Sequence, residues 1–157
     1  MSKPGALLSA RILAEINDLN ILVKRAMQGW ERTKTRHDDY YLDGVALNLH
    51  GFYSGLERVF EKIALTVDGS IPSGANWHRE LLNQMSIEFP SIRPAVISGG
   101  LRKDLESYLG FRHVVRNVYT YHLNPDKLEA LVTQAQAVFI KVETEIVIFC
   151  TFLQDSK

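Results

Sequence analysis

Cysteine is almost missing from this 157-residue chain, with Cys150 its sole representative. One thiol makes no internal disulfide and no cysteine-built zinc cluster, which fits a reducing compartment. Set in Ile148-Phe149-Cys150-Thr151-Phe152, it reads as core packing. Net charge is missing too, because 18 Lys+Arg balance 18 Asp+Glu. Net charge therefore gives no evidence for nucleic acid, bulk steering would be weak, and any basic patch has to be local. No apolar run approaches the roughly 20 residues of a membrane span. Met1–Leu8 lacks the apolar stretch of a signal peptide. The expected location is the cytoplasm, without a membrane partner. Alternating strand patterns, internal repeats and low-complexity tracts are scarce as well.

Helical periodicity is what the chain has. Leu8, Ile12, Ile16, Leu19, Val23, Ala26 and Trp30 recur in steps of four and three, predicting a helix over residues 6–34. Asp38 and Asp39 are candidate caps for a second helix, whose stripe runs from Leu42 and Val45 to Ile63 and Val67. Together with Asp43 they read as capping and dipole residues, not as a metal cluster, and no cofactor is expected. Asp68-Gly69 ends that helix, and residues 70–75 read as a loop. Asn76 is a candidate cap for a short third helix bearing Trp77, Leu81, Leu82 and Met85. Phe89-Pro90-Ser91-Ile92-Arg93-Pro94 reads as a rigid connector, since each proline disfavours helix in the residue before it.

Ser98 starts a fourth helix, predicted to bury Leu101, Leu105, Tyr108 and Leu109 and to run to about His122. Asn124-Pro125 is a restart signal, a cap followed by proline at the first helical position. The fifth helix then turns Leu128, Leu131, Ala135, Val138, Val142, Ile146, Phe149 and Leu153 inward. The predicted fold is all-α: one domain over residues 1–157, an antiparallel bundle of four to five helices.

The segment from Phe111 to His122 carries two arginines, two histidines, an amide and two tyrosines. Successive helical residues turn by about 100°, so Arg112, Arg116 and Tyr119 would form one polar ridge. Guanidinium groups grip phosphate bidentately and stay charged, and histidine moves protons near neutral pH. Together they suit metal-independent RNA cleavage, in which a 2′-hydroxyl is deprotonated and arginine stabilises the phosphorane. A plainer alternative pairs the arginines with Asp104, Glu106 or carboxylates of the second helix. Elsewhere, His50 reads as a hydrogen-bonded packing histidine, and Glu57 and Arg58 as ion-paired structure or anchors for the fourth-helix arginines. Trp77 and His78 read as pins for the third helix.

Three blocks resemble the HEPN superfamily, and within it the HepT-like ribonuclease toxins of HEPN/MNT toxin–antitoxin pairs. They are residues 46–60, residues 77–85, and Phe111-Arg112-His113 through Tyr119. The family's site is an arginine, four residues, a histidine, one residue and a tyrosine. Arg112 matches the arginine, Asn117 stands at the histidine position, and Tyr119 matches the tyrosine. A looser register runs from Arg116 to His122. The resemblance implies a homodimer that cleaves RNA, tRNA included, with Arg112 and Arg116 on the phosphate, Asn117 orienting the nucleophile and His122 carrying the proton. It also implies a nucleotidyltransferase antitoxin of the MNT type as partner, which adds AMP to Tyr119. An amide at position 117 cannot take a proton near pH 7. The alternative is therefore a catalytically inactive HEPN subunit that presents substrate or tyrosine to a nucleotidyltransferase.

Overall fold

The apolar stripes become five helices in the expected order. A computed structural model describes residues 3–155. It contains α1 (Lys3–Arg36), α2 (Tyr41–Ile63), α3 (Trp77–Met85), α4 (Gly99–Asn117) and α5 (Pro125–Asp155). A π turn at Ala64–Asp68 extends α2, and a 3-10 turn at Thr120–His122 precedes α5. Met1 and Ser2, from the N-terminal stretch read above, lie outside the described residues. Among the described residues no strand forms, and Phe89 and Arg93 make one isolated bridge. No described helix is long and apolar enough to cross a membrane.

Helix α2 is the hub, touching α1, α3, α4 and α5. Its Val45, Leu49, Phe52, Leu56, Val59 and Ile63 share one core with Ile12, Ile16, Leu19 and Val23 of α1. The two run antiparallel, with Arg58 on Glu15 at 2.9 Å and Gly29 against Val45 further along. A Cβ on Gly55 would fall 2.5 Å from Leu19 Cδ2, so a larger residue at this crossing would displace the Leu19 side chain. On α5 the inward stripe forms as expected, except that Leu131 is half-buried and Val132 is buried beside it. Cys150 is buried, and burial pushes its thiol pKa up against a hydrogen bond with Ser9. Tyr108 packs edge-on against Phe52 and donates to the Leu131 carbonyl at 2.7 Å, tying α4 to α2 and α5.

The cap predictions divide. Ser98 caps α4 as expected, its hydroxyl accepting from Leu101 N at 3.1 Å. Asn124 Oδ1 accepts from Asp126 N at 2.9 Å, and Pro125 opens α5. Gly69 adopts φ +69° and closes the turn after α2. Asp38 and Asp39 do not cap α2: Tyr40 holds that position without a side-chain bond, and Asp38 Oδ1 accepts from Tyr40 N instead. Asn76 makes no side-chain cap either.

Arg93, more than the prolines, rigidifies the connector between α3 and α4. Its side chain has 0% exposure. Nε and Nη2 donate to the Asp68 carboxylate, and the other N–H groups reach the carbonyls of Ile87, Pro94 and Gln84. All five guanidinium donors are thereby used.

The end of α4 departs from the sequence reading. The helix stops at Asn117, and Val118 is extended at φ −131° and ψ 157°. Asn117 Nδ2 donates to the His113 carbonyl at 2.7 Å, the kind of local side-chain bond that competes with helix continuation. Tyr119 and His122 therefore leave the helical line, and the predicted Arg112–Arg116–Tyr119 ridge is cut after Arg116.

Candidate functional site

Six arginines lie between the start of α2 and the end of α4. Four have a carboxylate within 4.0 Å: Arg58 on Glu15, Arg79 on Glu106, Arg93 on Asp68 and Arg102 on Glu106. Arg112 and Arg116 have none among the described residues. Asp104 and Glu106, the partners the plainer reading assigned them, are engaged by Lys141 and by Arg102 and Arg79. The exposed side chain of Arg116 makes no hydrogen bond or ion pair among the described residues.

Half-buried Arg112 reaches away from carboxylates toward α3, where its Nη1 lies 3.4 Å from His78 Nε2. A guanidinium can only donate, so His78 Nε2 accepts. The imidazole proton is then on Nδ1, which donates to Glu57 Oε2 at 2.8 Å. Glu57 is a buried carboxylate, 5% exposed, on the inner face of α2. Three helices thus meet in a chain from carboxylate to imidazole to guanidinium. His78 does pin α3, as expected, but its far side carries Arg112. The Trp77 ring lies against it, with centroids 3.6 Å apart.

The same face of α2 is polar for two turns. His50, Tyr53, Ser54 and Glu57 are spaced as one helical face. His50 Nε2, Tyr53 Oη, Ser54 Oγ and Arg112 Nε are buried without a hydrogen-bond partner. His50 is therefore not the satisfied packing histidine of the sequence reading. Burial, and then the Arg112 and Arg116 cations, lower its pKa, while Glu57 opposes them. Burial and then the Glu57 charge raise the pKa of the Tyr53 phenol, with Arg112 and Arg79 opposing. Unpaired buried polar atoms are uncommon and costly for folding. Their concentration beside Arg112 marks a surface not arranged for stability alone.

Two cavities flank α4, and Gly110 lines both. One, of 260 Å³, lies toward α3 and collects His78, Arg79, Arg112 and His113. The other, of 570 Å³, lies toward α5 between Phe111, Val114, His122, Leu123, Lys127 and Leu131. Arg112 and His122 thus open on opposite sides of the helix. Asn117 is exposed, its amide turned back on its own helix. Tyr119 and Tyr121 are 72% and 77% exposed and stack at 5.8 Å, with His122 edge-on to both. Among the described residues no three or more His, Cys, Asp or Glu side chains group to hold a metal ion.

Sequence reasoning found the arginines and offered Glu57 as one of their anchors, but not the imidazole through which it acts, and Arg58, offered beside it, pairs with Glu15 instead. Nothing local in Trp77-His78-Arg79 foretold the contact with Arg112.

No curated protein and no solved structure matches the chain. A family model does match, over residues 44–153, and its description is HepT-like protein. The matched stretch includes α3, α4 and all but the start of α2, the helices that carry Glu57, His78 and Arg112. The chain belongs to the HepT-like protein family.

Proposed function

We propose that the protein is a metal-independent RNA endonuclease toxin of the HepT type. The observation that carries this reading is the pair Arg112 and Arg116, one turn apart and left without carboxylates while four neighbouring arginines are paired. Two unneutralised guanidinium groups one turn apart, one of them lining a cavity, suit a phosphodiester. In this reading Arg112 and Arg116 hold the scissile phosphate and Asn117 orients the 2′-hydroxyl. His122 takes the hydroxyl proton as the 2′-oxygen attacks phosphorus. The bond to the 5′-oxygen breaks, and the imidazolium returns the proton to that leaving oxygen.

Arg112 and His122 open on opposite sides of α4, so one copy does not bring them together. The reading therefore includes a homodimer, in which His122 of one copy serves the arginines of the other. Exposed Tyr119 is the modification point for an MNT-type nucleotidyltransferase antitoxin. AMPylation there would set a phosphodiester charge close to Arg116 and block RNA.

RNA and tRNA cleavage in EDTA tests this reading with wild type, Arg112→Ala and His122→Ala. Both variants are expected to lose about 100-fold or more in rate while remaining folded. Full activity in His122→Ala would remove that residue from the reaction, and full activity in Arg112→Ala would overturn the nuclease reading.

The Asn117 amide, tied to the His113 carbonyl of its own helix, and the exposed Tyr119 favour a second reading, an inactive HEPN subunit presenting its tyrosine to a nucleotidyltransferase. Its signature is AMP on Tyr119 after co-expression, with no RNA cleavage by the unmodified chain.

A further inference from the structure

A buried carboxylate is expensive unless something compensates it. Glu57 has its compensation in His78, donated through Nδ1 at 2.8 Å. The consequence reaches further, because fixing the proton on Nδ1 leaves a lone pair on Nε2. That lone pair faces Arg112 Nη1 at 3.4 Å. We propose that Glu57 and His78 are positioning residues for Arg112: the carboxylate sets the imidazole tautomer, and the imidazole sets the guanidinium.

A relay of this kind does what a direct salt bridge could not. A carboxylate placed on Arg112 would bind two N–H groups side by side and cancel the charge. An imidazole uses one donor of five and leaves the cation whole. Arg112 is thus held in direction yet keeps its positive charge for an anion in the 260 Å³ cavity. Arg79, the other arginine of that cavity, takes the opposite course and lies 3.7 Å from Glu106. The titratable and charged groups beside His78 are Glu57 of α2, Arg79 of α3, and Arg112 and His113 of α4, while His50 and Tyr53 of α2 act on the Glu57 and Arg112 ends of the chain. Among these, His78 hydrogen-bonds with one acceptor, Glu57, and one donor, Arg112.

The relay stands on its own geometry, and only its use toward RNA phosphate rests on the ribonuclease reading. Its test therefore has a spectroscopic and a kinetic arm. In ¹⁵N-labelled full-length chain near pH 7.5, ring-nitrogen correlations should show His78 protonated on Nδ1 and bare on Nε2. Free histidine favours the opposite tautomer, so Glu57→Leu should move His78 toward it. A sharp Arg112 Nε–H signal should persist in His78→Gln, whose side-chain oxygen can replace Nε2, and should broaden in His78→Ala. On RNA, His78→Ala should lower kcat about 10- to 100-fold, the scale on which a displaced group costs rate, with KM little changed. His78→Gln should recover most of that loss. In an Arg112→Ala background, His78→Ala should have no further effect.

An Nε2-protonated His78 in wild type would overturn the relay, as would equal loss in both backgrounds. If wild type cleaves no RNA, the nuclease reading fails by itself, and the spectroscopic arm still decides the relay.

Discussion

Arg93 allows a prediction whose size follows from counted contacts. Its guanidinium has 0% exposure and Asp68 4%, and five donors meet one carboxylate and three carbonyls. Arg93→Met keeps an apolar side chain in place of the stem and removes every donor, together with the guanidinium carbon that lies 4.6 Å over the Phe89 ring. It leaves the Asp68 carboxylate with only Gln84 Nε2 at 2.8 Å. Breaking a buried ion pair by removing one partner costs about 3–5 kcal/mol. For a chain of this size, about 2–4 °C of Tm per kcal/mol converts that to a fall of roughly 6–20 °C. Urea and thermal unfolding followed by circular dichroism would measure it. Asp68→Leu added to Arg93→Met should recover part of the loss, because two apolar partners leave no orphaned charge. A Tm for Arg93→Met within about 2 °C of wild type would refute the reasoning, since a solvated guanidinium is the only kind so cheaply removed.

Two further outcomes test the packing and the polar face of α2. Gly55→Ala places a Cβ 2.5 Å from Leu19 Cδ2 and 3.1 Å from Glu15 Oε1. It should cost about 1–3 kcal/mol by overpacking, measured by urea unfolding, and no loss would mean that α1 and α2 cross less closely. Since the His50 pKa is lowered in the folded chain, the unfolded chain binds its proton first as pH falls below about 6.5. Stability from this residue is therefore complete at higher pH and declines through acid pH. His50→Gln should flatten the dependence of Tm on pH between about 7.5 and 5.5, and an unchanged profile would place His50 in water.

The helices were legible because their cause is local. Steps of three and four residues fixed the inward stripes of α1, α2 and α5, and Asn124-Pro125 marked the start of α5 by chemistry confined to a few residues. Legibility failed where two local signals competed. Asp38 and Asp39 looked like caps, but Asp38 bonded back to Tyr40 N in its own turn. The polar ridge looked continuous, but the Asn117 side chain bonded the His113 carbonyl and Val118 went extended.

The site divides along the same line. The sequence alone put two arginines, an amide, a histidine and a tyrosine within eleven residues around the end of the penultimate helix, and resemblance added the HepT-like blocks. Arg102 meets Glu106 one turn along its own helix, but the pairing of Arg58, Arg79 and Arg93 was a tertiary matter, decided by carboxylates arriving from other segments. Glu57 meets His78 across 21 residues, and His78 meets Arg112 across 34. Helical period acts over one or two turns and says which way a side chain faces. Only packing α2, α3 and α4 together decides what it faces, and so gave Arg112 an imidazole where its neighbours received carboxylates.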